Sequence, residues 1–391
     1  MRVGGQSAAM PILAQYVVWE VSKIFSLTLA GMTMITTLGM GLREGLRHGF
    51  PPGVMFQVMP YMLPEILGIT VPVAVLFAVT HVFGRMTGAN EIVALKSAGI
   101  NPVEVVWPVL GLSAVLSLAT AAMYDLSATW GRPHVQRVGI ESIAKIAYGV
   151  LRQERSFNAP KFSIAVRRVE GSKLVQPTIT IQARGKTPTI TMSAEEAEID
   201  TDKKARLVVF RCKNGRIDIG GNVGVRFFFD TQEQSVPLES NLRPVHRDWL
   251  GMREIPEHVA RLQAELEEIK RRPDAAAPSD EVDRQREQER IERTQWRITR
   301  LRTEPHRRWA NGFSCLCFAL VGAPVAMLWR FENYLATFFV CFLPILVVFY
   351  PLLMIQEGMT TSGTLPPICF WMGDAVLLVV GIWLLRRVIQ H

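Results

Sequence analysis

Six long apolar blocks constrain this chain more than any other feature, and they are confined to its two ends. A helix needs ~20 apolar residues to cross a bilayer core, whereas a soluble chain scatters its apolar residues in short periodic runs. The blocks run from about Val17 to Leu42, Val58 to Phe83, Val103 to Met123, Trp309 to Trp329, Tyr334 to Ile355 and Ile368 to Leu385. Between the third and fourth, roughly 125 to 309, the chain is polar and carries most of its charge. This pattern predicts a polytopic α-helical membrane protein with about six transmembrane helices, three plus three around a large water-exposed insert. Pro60, Pro64 and Pro72 fall in the second block. They would break a soluble helix, but in a bundle neighbouring helices satisfy the freed carbonyls.

Six spans put both termini on one side. The segments assigned inside hold Arg2, Lys23, Arg85, Lys96, Arg330, Arg386 and Arg387. The short outside loops hold Arg43 and Arg47, and the 357–366 loop has no Lys or Arg. The insert flanks, Arg132, Arg137, Arg307 and Arg308, pull the other way. The balance favours cytoplasmic termini. The insert then lies outside, in the periplasm if the membrane is the inner (cytoplasmic) membrane of a double-membrane bacterium. The formal net charge of +8 is accounted for by membrane-flanking Lys and Arg. No basic run is interleaved with aromatics, which argues against nucleic acid. The five cysteines are odd in number and form no C-x-x-C pair, so they read as small apolar residues. The first block is too long for a signal-peptide core and no good A-x-A site follows it, so it is expected to stay as a spanning helix.

From about Val150 to Leu238 the insert reads as strands. "KFSIAVRRV", "PTITIQA", "ARLVVFRCKNGRIDI" and "VGVRFFFD" are β-branched and bounded by turn residues such as Asn214-Gly215 and Gly220-Gly221. An all-β sandwich is expected. Phe162, Ile164 and Val166, then Ile179 and Ile181, alternate with polar residues. Their shared face forms either an apolar trough for acyl chains or the interior of a closed, inert sandwich. Beyond Leu250, Val259, Leu262, Leu266 and Ile269 recur at heptad-like spacing. After "RRPDAAAPSD", a second polar helix from about Glu281 to Arg302 carries Ile291, Ile298 and Leu301 on one face. This predicts a helical hairpin. The expected domains are 1–124 (spans one to three, with a loop at 84–102), 125–250 (β-domain), 251–305 (hairpin) and 306–391 (spans four to six).

No soluble catalytic site emerges. Gly185-Lys186-Thr187 ends like a phosphate-binding loop, but Thr180 stands where the loop needs glycine. The chain therefore reads as no enzyme. The seven histidines do not cluster at metal-ligand spacing, and no cofactor is expected. The loop "FGRMTGANEIVALKSAGINP" is short and amphipathic. Ile92, Val93, Leu95 and Ala98 line one side and Arg85, Glu91 and Lys96 the other. Gly99 marks a helix stop, and Pro102 the start of span three. It is either a surface connector or a coupling helix for a cytoplasmic partner. Arg43 and Arg47 share a helical face if span one continues. That face suits glycolipid phosphates or ordinary interfacial snorkelling. Glu65, His81, Asp125, Glu357 and Asp374 lie near span ends or kinks and are either functional or interfacial.

Taken in order, three long segments resemble one known family. They are "PEILGITVPVAVLFAVTHVFGRMTGANEIVALKSAGINPVEVVWPVL", "TMSAEEAEIDTDKKARLVVFRCKNGRID" and "EPHRRWANGFSCLCFALVGAPVAM", followed by the final span "SGTLPPICFWMGDAVLLVVGIWLL". Their order and spacing are similar to those of the LptF/LptG family, permease subunits of the lipopolysaccharide-export ABC transporter. The resemblance implies a six-span subunit with a periplasmic β-jellyroll between spans three and four. It implies a paralogous permease subunit as partner, a cytoplasmic ATPase dimer that hydrolyses ATP, and periplasmic bridge proteins of similar β fold. The cargo would be lipopolysaccharide or a related glycolipid. Glu91, supported by Arg85, would contact the ATPase. Arg43 and Arg47 would meet the lipid headgroup, and Ile164 and Ile181 would line the acyl path. The stretch from about Glu254 to Arg302 is longer than the family's usual link. Two rival functions stand beside this one: an ABC-type permease for lipoproteins or small molecules, and a non-transporting scaffold that anchors a β-domain. The first usually has four spans, and the second needs only one.

Overall fold

Inside lipid, a backbone must satisfy its own polar groups, and the apolar blocks do so as continuous helices. A computed structural model of the protein describes residues 6–48, 52–141, 143–158, 162–181, 190–202, 207–219, 225–237, 250–271, 281–329 and 334–390. Among the described residues, six helices are long and apolar enough to cross a membrane: Ile12–Arg43, Gly53–Gly88, Pro102–Val135, Glu287–Leu328, Leu335–Thr361 and Pro367–Gln390. They belong to α1 (Gln6–His48), α2 (Pro52–Gly88), α4 (Pro102–Leu126) with its continuation, α8 (Glu281–Leu328), α9 (Tyr334–Pro344) with α10 (Tyr350–Thr361), and α11 (Met372–Gln390). Between α2 and α4 lies the short α3 (Glu91–Ser97). The second span stays helical through all three of its prolines.

The helical unit is built from the first part of α1, most of α2, α3, α4 and the elements after residue 247. Its core joins Val17 and Val21 of α1, Val75 to Met86 of α2, Ile92 of α3, Val105 to Leu110 of α4, Cys315 to Met327 of α8 and Val388 of α11. Spans two and four are its centre. A Cβ on Gly312 would lie 2.9 Å from the Ser117 carbonyl oxygen and from Ala121 Cβ, so glycine lets α8 and α4 approach backbone to backbone.

Two boundaries differ from expectation. The hairpin's second helix and span four are one helix of 48 residues. At 1.5 Å per residue it is about 72 Å long, over twice a bilayer core. Pro305 removes one N–H donor without ending it. α7 (Ile255–Lys270) packs back on α8 through Leu250, Ile255, Val259, Ile298 and Leu301, as the heptad spacing predicts. Second, span three passes through a π-helical turn, Ser127–Gly131, into α5 (Arg132–Glu141) and α6 (Ile143–Glu154). The first strand begins only at Ser156, although the strand pattern was expected from Val150.

The β unit holds α5, α6 and one antiparallel sheet of eight strands, together with residues 37–62. The strands are β1 (Ser156–Asn158), β2 (Phe162–Ala165), β3 (Arg168–Glu170), β4 (Lys173–Val175), β5 (Thr178–Ile181), β6 (Ile190–Asp202), β7 (Leu207–Ile219) and β8 (Val225–Pro237). The described strands form this single sheet rather than the two layers of a sandwich. β4 and β5 lie end to end along one edge of β6, and β7 then β8 follow on the other. Asn214-Gly215 does not end a strand. It sits in the middle of β7, where Asn214 takes φ 49°. On the far side of β6, Gln176 takes φ 50° and donates its N–H to the Glu195 carbonyl at 2.8 Å. Across this line the inward set shifts phase by one residue, from Met192 to Ala197 and Ile199 in β6. In β7 it shifts from Ile217 to Cys212 and Phe210. The left-handed residues absorb that shift, so both halves of each strand keep their apolar side chains in one core.

Candidate functional site

The loop at 84–102 folds as a capped helix because its punctuation is complete. Asn90 enters α3 with φ 58°, and Gly99 leaves it with φ 78°. The Ile100 N–H reaches the Leu95 carbonyl and the Gly99 N–H the Lys96 carbonyl, each at 3.0 Å, which is a Schellman stop. Asn101 then caps α4 through Val103 N–H, with Pro102 in its first turn. Ile92 is buried in the bundle core and Leu95 packs against it, whereas Val93 and Ala98 are exposed, so the apolar side is narrower than the sequence predicts. Glu91 is half-buried in the first turn. Lys96 donates to the Val388 carbonyl of α11 at 3.3 Å. Arg85 turns toward span one: its guanidinium donates to Tyr16 Oη at 3.0 Å and lies 3.7 Å from Glu20, which also pairs with Lys23. Arg85 therefore ties α2 to α1 beside α3. Tyr16 and Glu20 lie 69 and 65 positions earlier in the chain, so local pattern does not reveal them as its partners.

At the other end of span one, α1 runs without a break to His48, which puts positions 43 and 47 one turn apart. Arg43 is exposed, and the side chain of Arg47 lies outside the described residues.

Asp125 and Glu357 belong to one ion network. Asp125 Oδ1 accepts from Arg308 Nη1 and from the Met252 N–H, both at 2.8 Å. Glu304, with a fully buried side chain, lies 3.6 Å from Arg308 Nε and 3.0 Å from Arg307, which reaches Glu357 at 3.3 Å. Arg307 and Arg308 had served only as topology markers in the sequence. Their spacing to Glu304, one helical turn, was the available signal. Asp374 is 2 % exposed in the first turn of α11, where its backbone carbonyl faces the Cys317 thiol at 3.6 Å. It is a core group and not an interfacial one.

In the β unit, Ile164 is 1 % exposed and Ile179 fully buried, and Ile181 packs against their core. The alternation therefore points where the sequence predicts. The side chain of Phe162 lies outside the described residues. Helix α6 closes this face with Ala147 and Leu151, both within the same core. Tyr148 fixes it there. Its hydroxyl donates to the Ser172 carbonyl at 2.6 Å and accepts from the Ile199 N–H of β6 at 2.8 Å. Arg152 adds a bond to the Gly171 carbonyl at 3.0 Å. Burial raises the Tyr148 phenol above its ordinary range, partly offset by the Ile199 N–H.

A bundle of six spans, a capped helix between spans two and three, and a sheet with an apolar face form the frame on which the sequence comparison bears. No curated protein matches the chain. The family model described as lipopolysaccharide export system permease LptF/LptG matches residues 15–387, which takes in every span, the sheet and the long hairpin. The chain belongs to the LptF/LptG family of lipopolysaccharide export permeases.

Proposed function

We propose that this permease works with a separate ATPase to lift lipopolysaccharide, or a related glycolipid, from the bacterial inner membrane and pass it to a periplasmic bridge. The observation that carries this reading is the joining, in a chain of this family, of a bundle with open apolar outer faces to a sheet with an apolar inner face. Spans one and five are only 11 % and 17 % buried, against 78 % for span two. Those open apolar faces suit a second, paralogous permease subunit and the acyl chains held between the two. Arg43 and Arg47 stand at the outer end of span one and would meet headgroup phosphates. The termini and α3 would then face the cytoplasm and the sheet the periplasm.

α3 is the part that meets the ATPase dimer. Glu91 makes the contact, and Arg85 acts behind it by holding span one to span two. Lys96 joins the same helix to span six, so that a push on α3 reaches three spans. In the β unit, Ile164 and Ile181 line the acyl path. That path is shut while α6 lies on the sheet, and it opens when α6 lifts. The outer strand β8, with Phe227 and Phe228 exposed, offers an edge to which a bridge protein of similar fold can add a strand. The test is co-purification of the ATPase. Glu91→Ala, which removes a charge-assisted contact of roughly 1.5–3 kcal/mol, is expected to release it while the membrane fold persists. Full recovery of the complex with normal ATP-driven transport would overturn the assignment.

A further inference from the structure

The kink in the sheet leaves a groove of about 670 Å³ that crosses β6, β7 and β8. This falls within the ~300–1,000 Å³ typical of small-molecule sites. Ser193, Arg216 and Phe228 are cross-strand neighbours on one row of its wall, and Glu195, Asn214 and Asp230 follow at the kink. Asn214 holds Glu195 through a 3.1 Å bond from its amide, which presets both groups. The Phe228 ring is 80 % exposed, the most exposed large apolar side chain among the described residues. Among the described residues this aromatic ring stays in solvent beside planar amide, carboxylate and guanidinium groups.

The chemistry narrows the occupant. Two carboxylates face one guanidinium, and Arg216 already leans on Asp218 at 3.5 Å, so the groove repels phosphate. Among the described residues no group of three His, Cys, Asp or Glu is placed to hold a metal ion. A flat apolar ring bordered by paired donors and acceptors suits a sugar. One face of a pyranose is a patch of C–H groups for the ring, and its rim of hydroxyls takes bonds from Asn214, Glu195, Arg216 and Asp230. We infer that this groove is a saccharide-binding site, occupied by one or two sugar rings of a neutral or amino sugar. The row of Ser193, Arg216 and Phe228 lies on the face of the sheet opposite the apolar path, while Ala194 and Phe229 at the kink reach its core. The sugar belongs either to the exported glycolipid, a source that rests on the proposed function, or to a cell-wall glycan.

The test uses the full-length protein in nanodiscs without ATPase, and saturation-transfer NMR with two probes. One is the deacylated, dephosphorylated oligosaccharide of lipopolysaccharide, and the other is chitotetraose. The variants are Phe228→Ala, which removes an exposed ring, and Asn214→Gly, which keeps the left-handed backbone and deletes the amide. At least one probe is expected to bind, with affinity about three- to tenfold weaker in Phe228→Ala and a comparable loss in Asn214→Gly. The probe that binds identifies the source. Binding of neither probe, or binding equal in both variants and the parent, would overturn the site. Because the measurement needs no export, its failure is distinct from failure of the transport reading, which ATP-driven lipid release reports separately.

Discussion

Tyr148→Phe is the change that isolates the closure of α6 over the sheet. It keeps the ring that packs on the core and deletes only the hydroxyl. The bonds to the Ser172 carbonyl and from the Ile199 N–H go, together with a long 3.5 Å bond to the Ile199 carbonyl. Ser172 is exposed, so water replaces its bond at little cost. Ile199 is 6 % exposed, so its N–H is left unpaired beneath the helix. An unsatisfied buried donor costs roughly 1–3 kcal/mol. The penalty falls on the closed state alone, because a lifted α6 lets water reach Ile199. The population with α6 lifted should therefore rise about 5- to 150-fold, the equivalent of that energy. Hydrogen exchange at the Ile199 amide in the intact protein reads this directly and should accelerate by the same factor. Exchange at the β6–β7 ladder, for example at Phe210, should stay near its parent value. Unchanged exchange at Ile199, or an equal acceleration throughout the sheet, would refute the argument that Tyr148 latches one helix.

Arg308→Met leaves Glu304 and Asp125 facing each other without their shared cation. Because both Arg308 and Glu304 are buried, it should cost about 3–5 kcal/mol in thermal unfolding in detergent, and adding Glu304→Gln should recover part of the loss. Replacing Arg43 and Arg47 together with Ala should lower co-purified glycolipid about tenfold or more, the equivalent of one charge-assisted bond, as read by mass spectrometry of extracted lipid. Burial pushes the Cys212 thiol from 9.0 up to about 11. The folded state then favours the neutral thiol, so this stability is intact below pH 9 and is lost as pH rises toward 11. On the order of 2–3 kcal/mol is at stake, and the thermal unfolding midpoint of the parent should fall across that window relative to that of Cys212→Ala.

The spans were legible because bilayer thickness sets a length that few other structures need, and the prolines of α2 did not hide it. The cap of α3 was legible for a similar reason: Gly99 and Pro102 have positional meanings that neighbours do not override. Asn214-Gly215 reads as a turn because an Asn-Gly pair suits a hairpin, whereas in the fold Asn214 alone is left-handed and marks a mid-strand kink. Only its register against Gln176, Glu195 and Asp230 tells them apart, and register is a long-range property. The change in composition suggested a break in α8, but Pro305 costs only one bond and tertiary packing on α4 and α7 carries the helix through. The ion network was half visible. Asp125 and Glu357 stood out as charges near membrane depth, while Arg307, Arg308 and Glu304 looked like flanking charge until the fold brought three helices together.

In the proposed route, lipid leaves the membrane across the inner face of the sheet. A photocrosslinker at Ile164 or Ile181, in the protein reconstituted with its ATPase and lipopolysaccharide, measures this most directly. Lipid capture is expected to require ATP and to increase with Tyr148→Phe. Capture only at outward positions such as Ser163, or none while lipid is being released, would show that the cargo bypasses the sheet.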